Sequence, residues 1–150
     1  RTEMAKSVIE TPAAFCDQLS VIEFSADIFE VPSHSPTNVL SKNSQYVVEV
    51  SIELGAKIKR LLCGEWCISV AAESIGSGAE KRQTKVIAMN NCDPSPDRVR
   101  FNLPSDWFDA PGDHCGQVYY LVVTVVARDS CKHEPIGIAG FSRLGPVMVV

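Results

Sequence analysis

The ten residues Tyr119 to Arg128 (Tyr-Tyr-Leu-Val-Val-Thr-Val-Val-Ala-Arg) constrain the fold more than any other stretch. They are rich in β-branched and aromatic side chains and contain neither Gly nor Pro. Branched Cβ atoms lose rotamer freedom in a helix and pack well on a pleated surface, so the run reads as a strand. If extended, it is apolar on both faces, which predicts a central strand covered on both sides.

Shorter strand-like runs surround it. Residues 21–31 put Ile22, Phe24, Ala26 and Ile28 on one face and Glu23, Ser25 and Asp27 on the other. Residues 45–54 alternate Tyr46, Val48, Val50, Ile52 and Leu54 with Val47, Glu49, Ser51 and Glu53. Residues 65–73 alternate Trp66, Ile68, Val70 and Ala72 with Cys67, Ser69, Ala71 and Glu73. A period of two with one wet face marks a half-buried antiparallel strand. Further strands are expected at 83–91, 97–103, 118–128 and 137–150, the last interrupted by Gly145-Pro146. The segments 32–44, 74–78 and 104–116 carry the turn formers that separate them. Seven short strands with no long helix predict an all-β fold, a two-layer antiparallel sandwich spanning residues 21–150. Residues 1–20 show no period and are expected as an N-terminal arm, tail or short helix.

This layout resembles the immunoglobulin-like and fibronectin-type-III-like sandwiches. The matching features are the seven strands, Trp66 on the third, and Tyr119 or Tyr120 opening the sixth, like that family's core Trp and tyrosine corner. The antibody-type bridge between second and sixth strands has no counterpart, because neither 46–54 nor 119–128 holds a cysteine. The resemblance therefore implies an architecture and no activity.

The six cysteines are Cys16, Cys63, Cys67, Cys92, Cys115 and Cys131. An even number scattered among loops reads as disulfide staples formed in an oxidising compartment. Extracellular or cell-surface location follows as an expectation. Free thiols and zinc are the competing readings, zinc with His114 and His133 as further ligands. Extended geometry opposes it: four residues of strand put Cys63 and Cys67 about 13 Å apart. A disulfide between the two needs Cα atoms about 4.4–6.8 Å apart.

Other chemistry is sparse. The formal charge is −4, and the longest basic cluster is Lys57-Ile58-Lys59-Arg60, so nucleic acid is not an expected partner. No run of 18 apolar residues predicts a membrane-inserted helix. The sequence contains no Gly-rich phosphate loop, nucleophile elbow or zinc-protease helix motif. His34, His114 and His133 fall in expected loops. No cofactor is implied, and the chain is not expected to be an enzyme. Two features suit a ligand. Trp107 and Phe108 are candidates for a sugar-stacking platform, and Asp93, Asp97, Asp109 and Asp113 are candidates for polar or Ca²⁺ contacts in nearby loops. The apolar C-terminus, Pro-Val-Met-Val-Val, and the N-terminal arm are candidates for strand pairing with copies of the same chain. The leading expectation is a structural or adhesive subunit, with a carbohydrate- or small-ligand-binding module as the alternative.

Overall fold

The computed structural model describes residues 7–10, 22–31, 38–41, 43–55, 59–60, 62, 64–76, 80–90, 95–104, 106–108 and 117–150. Among the described residues, nine strands run in chain order: β1 (Ser7–Glu10), β2 (Ile22–Val31), β3 (Val39–Leu40), β4 (Gln45–Leu54), β5 (Gly64–Ser74), β6 (Lys81–Ala88), β7 (Asp97–Leu103), β8 (Gln117–Asp129) and β9 (Pro135–Val149). The larger sheet has the order β1-β9-β8-β5-β6, with β3 beside the end of β9; the smaller is β2-β4-β7. The smaller sheet is curled into a half-barrel, a departure from the flat second layer of a two-layer sandwich. Pairing is antiparallel except for the short parallel match of β3 to β9.

Alternation decides which side chains meet between the layers. From the larger sheet come Trp66, Ile68, Val70 and Ala72 of β5 and Tyr119, Leu121, Val123, Val125 and Ala127 of β8. From the smaller come Phe24, Ala26 and Ile28 of β2, alternate residues of β4 from Tyr46 to Leu54, and Val99, Phe101 and Leu103 of β7. All belong to one buried cluster. Full burial of each large apolar side chain contributes roughly 1.5–3 kcal/mol against exposure, so the shared core dominates the fold.

All seven expected strands are present, with small shifts in their ends. The strand expected at 83–91 runs from Lys81 to Ala88, and Met89 turns inward beyond it. Two strands lie where no periodicity signals them. Within the expected arm, Ser7–Glu10 pairs with Ala139–Ser142 of β9. Within the expected polar loop 32–44, Val39 and Leu40 pair with Met148 and Val149, and Leu40 is fully buried. Runs of two and four residues are too short to display a period. The interruption at Gly145-Pro146 is a bulge inside a continuous strand: two steps along β8, Tyr119 to Leu121, face three along β9, Val147 to Leu144. Gly145 has φ +107°, and a Cβ there would lie 2.8 Å from the Val147 nitrogen. Only glycine takes that backbone without strain.

Several strand edges are already engaged. Met148 and Val149 have β8 on one side and β3 on the other, so the apolar C-terminal strand is interior at that end. Along the opposite side of the molecule, β6 and β7 face one another without a backbone ladder. Lys81 Nζ donates to the Asp106 carbonyl (2.6 Å), Gln83 Nε2 to the Asn102 carbonyl (3.0 Å), and Lys85 Nζ to the Arg100 carbonyl. Lys85 also lies over the Phe101 ring, 5.4 Å from its centroid. Side chains thus occupy the carbonyls that an edge strand leaves open, a protection against pairing with another chain.

Candidate functional site: the outer face of the large sheet

The residues expected to stack a sugar point the other way. Trp107 and Phe108 are each 5% exposed. Their rings meet edge to face at 5.1 Å, and Phe108 does the same with Tyr119 at 5.4 Å and Tyr46 at 6.4 Å. They plug one end of the core, because indole and phenyl groups gain more from burial there than from water. Neither offers a platform. Of the two tyrosines that could mark a corner, Tyr119 is inward and Tyr120 outward. A tyrosine brace occurs elsewhere: the Tyr46 hydroxyl accepts from Ser41 N at 2.5 Å and donates to the Ser41 carbonyl at 3.2 Å.

Asp97 is likewise no surface ligand. It is 8% exposed, and its Oδ2 accepts from Trp66 Nε1 at 2.9 Å. Its Oδ1 lies 3.2 Å from the buried Lys59 ammonium, which also donates to the Ser95 carbonyl at 2.8 Å. The Lys59 N–H donates to the Gly55 carbonyl, and the lysine side chain is buried. The carboxylate therefore pins Lys59, β5 and β7 together. Asp93, Asp109 and Asp113 lie outside the described residues, as do Cys16, Cys63, Cys92 and Cys115. Cys67 and Cys131 are free thiols, so the staples expected at these two positions are not formed. Cys67 sits in the extended part of β5, and Cys131 at the exposed tip of the β8–β9 turn. Among the described residues, no three His, Cys, Asp or Glu side chains cluster as a metal site.

The unusual surface is the outer face of the larger sheet. Its register places Thr84, Ser69, Thr124 and Phe141 in a central row across β6, β5, β8 and β9. On one side lie Val86, Cys67, Val126 and Ala139; on the other, Arg82, Ala71, Val122 and Arg143. Phe141 is 52% and Val86 49% exposed, while the outward residues of β8 are half-buried by their neighbours. At the centre, the Ser69 and Thr124 hydroxyls share a 2.5 Å hydrogen bond, so even the polar pair is satisfied internally. The expected cover on both faces of 119–128 is thus half fulfilled: the inner face packs, and the outer face meets solvent.

Charged groups mark the two ends of this face. At one end, Glu73 is exposed, and the Arg143 guanidinium stacks 4.3 Å from the Tyr120 ring centroid. At the other, Glu65 Oε1 accepts from Arg128 Nη2 at 2.8 Å and contacts His133 Nδ1 at 2.6 Å. The His133 hydrogen bond is the main cause holding the Glu65 carboxyl below its usual range, with Arg128 adding to it. His133 has φ +59° in the turn after β8. That turn is set by Asp129, whose Oδ1 accepts from Cys131 N at 2.7 Å and Lys132 N at 2.8 Å. The same two backbone donors depress the Asp129 pKa.

The smaller sheet presents a different outer face. Ser25, Asp27, Glu49, Ser51, Arg98 and Arg100 line a groove of about 640 Å³. Arg100 Nε donates to Glu49 Oε1 at 2.6 Å across the β4–β7 pair. This groove went unread in the sequence; the signal was available in the alternate polar residues of 21–31, 45–54 and 97–103, but their meeting on one surface depends on strand order. No protein-family model matches the chain, and no curated protein is significantly similar to it.

Proposed function

We propose that this chain is a non-enzymatic, secreted or surface-exposed β-sandwich subunit, Ig-like in strand order, that works by contact with copies of itself. The observation that carries this reading is the apolar outer face of the larger sheet, where Phe141 and Val86 stay half exposed beside Val122 and Val126. Contiguous apolar surface of this kind marks interaction sites on soluble proteins. Contact through the face is proposed beside the edge and terminal contacts expected from the sequence; of the C-terminal segment, Met148 and Val149 are already flanked by β8 and β3. The Ig-like assignment draws support from strand order: β2-β4-β7 follows the A-B-E layer and β9-β8-β5-β6 the G-F-C-C′ layer of those sandwiches. Disulfide bracing, with Cys67 and Cys131 free, falls to Cys16, Cys63, Cys92 and Cys115. Light scattering over a range of concentrations tests the central reading. A mass that rises toward twice the chain's mass supports it, and a monomer at all concentrations overturns it.

The polar groove on the smaller sheet favours a second reading, a module for a saccharide or another small polar ligand. Its serine hydroxyls, carboxylates and guanidinium groups match the hydrogen-bonding needs of such a ligand. A saccharide-dependent rise in melting temperature, abolished by Arg98→Ala, is the expected result for that reading, because a ligand bound to the folded state stabilises it by mass action.

A further inference from the structure

We propose that the edge of β9 is an acceptor site for an extended segment, and that copies of this chain exchange β1 through it, each seating its Ser7–Glu10 on the other's β9. This rests on the self-association proposed above and supplies the segment and its register.

Two seams of the molecule are closed by different means. Between β6 and β7, the side chains of Lys81, Gln83 and Lys85 reach across and occupy open carbonyls. Among the described residues, the edge of β9 is covered by β1 over Ala139–Ser142 and by β3 over Met148 and Val149. The stretch beneath β1 (Ala139-Gly140-Phe141-Ser142) holds no Pro or charged residue of the kind that blunts an edge. When β1 lifts away, a row of backbone N–H and C=O groups opens there, ready for another strand.

The same stretch is shaped to take a side chain. Its inward positions are Gly140 and Ser142, since Ser142 is fully buried and Phe141 is exposed. Ile9 stands opposite Gly140 in the register and packs, partly buried, against the core. Directly opposite residues have Cβ positions about 4.5–5.5 Å apart, so the absent side chain of Gly140 leaves room for the isoleucine. Ser142 lies opposite Ser7, and its buried Oγ has no hydrogen-bond partner among the described residues. A buried hydroxyl left unmatched weakens the seat.

The hold of β1 is correspondingly slight. Partial burial of one isoleucine is comparable to the entropy of fixing one or two residues, and β1 fixes four. Its ladder adds only the modest net gain of a few hydrogen bonds. β1 therefore opens locally before the sheet does. Exchange costs little, because each copy recovers the same contacts from the other. The segment 11–21 between β1 and β2 can span at most about 40 Å, more than the width of about 30 Å of a small domain.

Glu10→Cys with Ala139→Cys tests the exchange, with the free Cys67 and Cys131 changed to Ser. Positions 10 and 139 are directly opposite, and opposite Cα atoms of an antiparallel pair, about 4.5–5.5 Å apart, suit a disulfide. Isotopically heavy and light copies are mixed in reductant, equilibrated and then oxidised, and the 10–139 linked peptides are read by mass spectrometry. The expected result is links that join heavy to light chains, rising with concentration toward about half of all links at full exchange. Ile9→Ser in the same background is expected to cut the total 10–139 link severalfold, because the seat loses its apolar plug. All these changes lie outside the fully buried core, and the melting temperature checks that the variants fold. Links within single chains only, at every concentration, overturn the exchange; a dimer by light scattering then leaves self-association standing. No 10–139 link of either kind, or a yield unchanged by Ile9→Ser, overturns the acceptor site. A monomer at every concentration overturns exchange and self-association alike.

Discussion

The outward rows of β4 and β8 face solvent on opposite sides of the same core, yet they are chemically unlike. On β4 the outward residues include Glu49, Ser51 and Glu53, and Glu49 is paired across the sheet with Arg100. On β8 they include Val122, Thr124 and Val126. Both strands are central in their sheets and both pack a fully apolar inner row. The inner rows are alike because the core imposes the same demand on each. The outer rows differ because, among the described residues, none packs over the outward side of β8. The difference teaches that an outer row can carry information about contacts beyond the fold, while an inner row reports the fold alone.

Four substitutions and one pH series would break or sharpen this contrast. The largest effect belongs to the interior that both faces share. Asp97→Ala leaves the Lys59 ammonium buried beside an unsatisfied Trp66 N–H, and should lower unfolding free energy by about 3–5 kcal/mol in denaturant titration. A loss under 1 kcal/mol would mean that the pin is dispensable. Next come neighbouring residues on the two faces of β8. Val125→Thr places a hydroxyl in the core and should cost about 1–3 kcal/mol. Val126→Thr on the outer face should change monomer stability by about 0.5 kcal/mol or less, as ordinary surface changes do, while weakening association. Equal costs at 125 and 126 would show the outer face to be covered within the monomer. The smallest effect is acid sensitivity at the end of the large sheet. The Glu65 and Asp129 carboxyls both titrate below their usual range. Their stabilisation is therefore full above the unfolded carboxylate values, about 4, and is lost as pH falls through the lowered folded values. Melting temperature followed below pH 4 should fall less steeply in Asp129→Asn than in the parent chain.

Much of the fold was legible in the sequence. The alternation in 45–54, 65–73 and 97–103 named the inward residues correctly, because a strand's two faces differ by one residue and a core sorts them by polarity. Trp66 was legible for the same reason; Tyr119 was not, because 119–128 is apolar on both faces and either tyrosine fitted the inward place. The candidate site was much less so. Trp107 and Phe108 carry no periodicity that distinguishes an exposed platform from a plug, and only their seating beside Tyr46 and Tyr119 decided it. Asp97 read as a candidate for polar or Ca²⁺ contacts in a loop; its role depends on Trp66 and Lys59, which lie 31 and 38 residues away in the sequence. Cys67 and Cys131 read as staples from number alone, whereas a bond needs a partner at the right distance.

The sequence by itself determined that the chain is all-β, where its main strands run and, in the alternating strands, which side faces the core, since these follow from local propensity and a period of two. Tertiary structure alone decided strand order, and with it the capped seam between β6 and β7, the interior place of Met148 and Val149 and the joining of four strands' outward residues into one apolar face. Those are facts of non-local pairing, and a one-dimensional pattern records what each strand prefers but not which strand lies beside it.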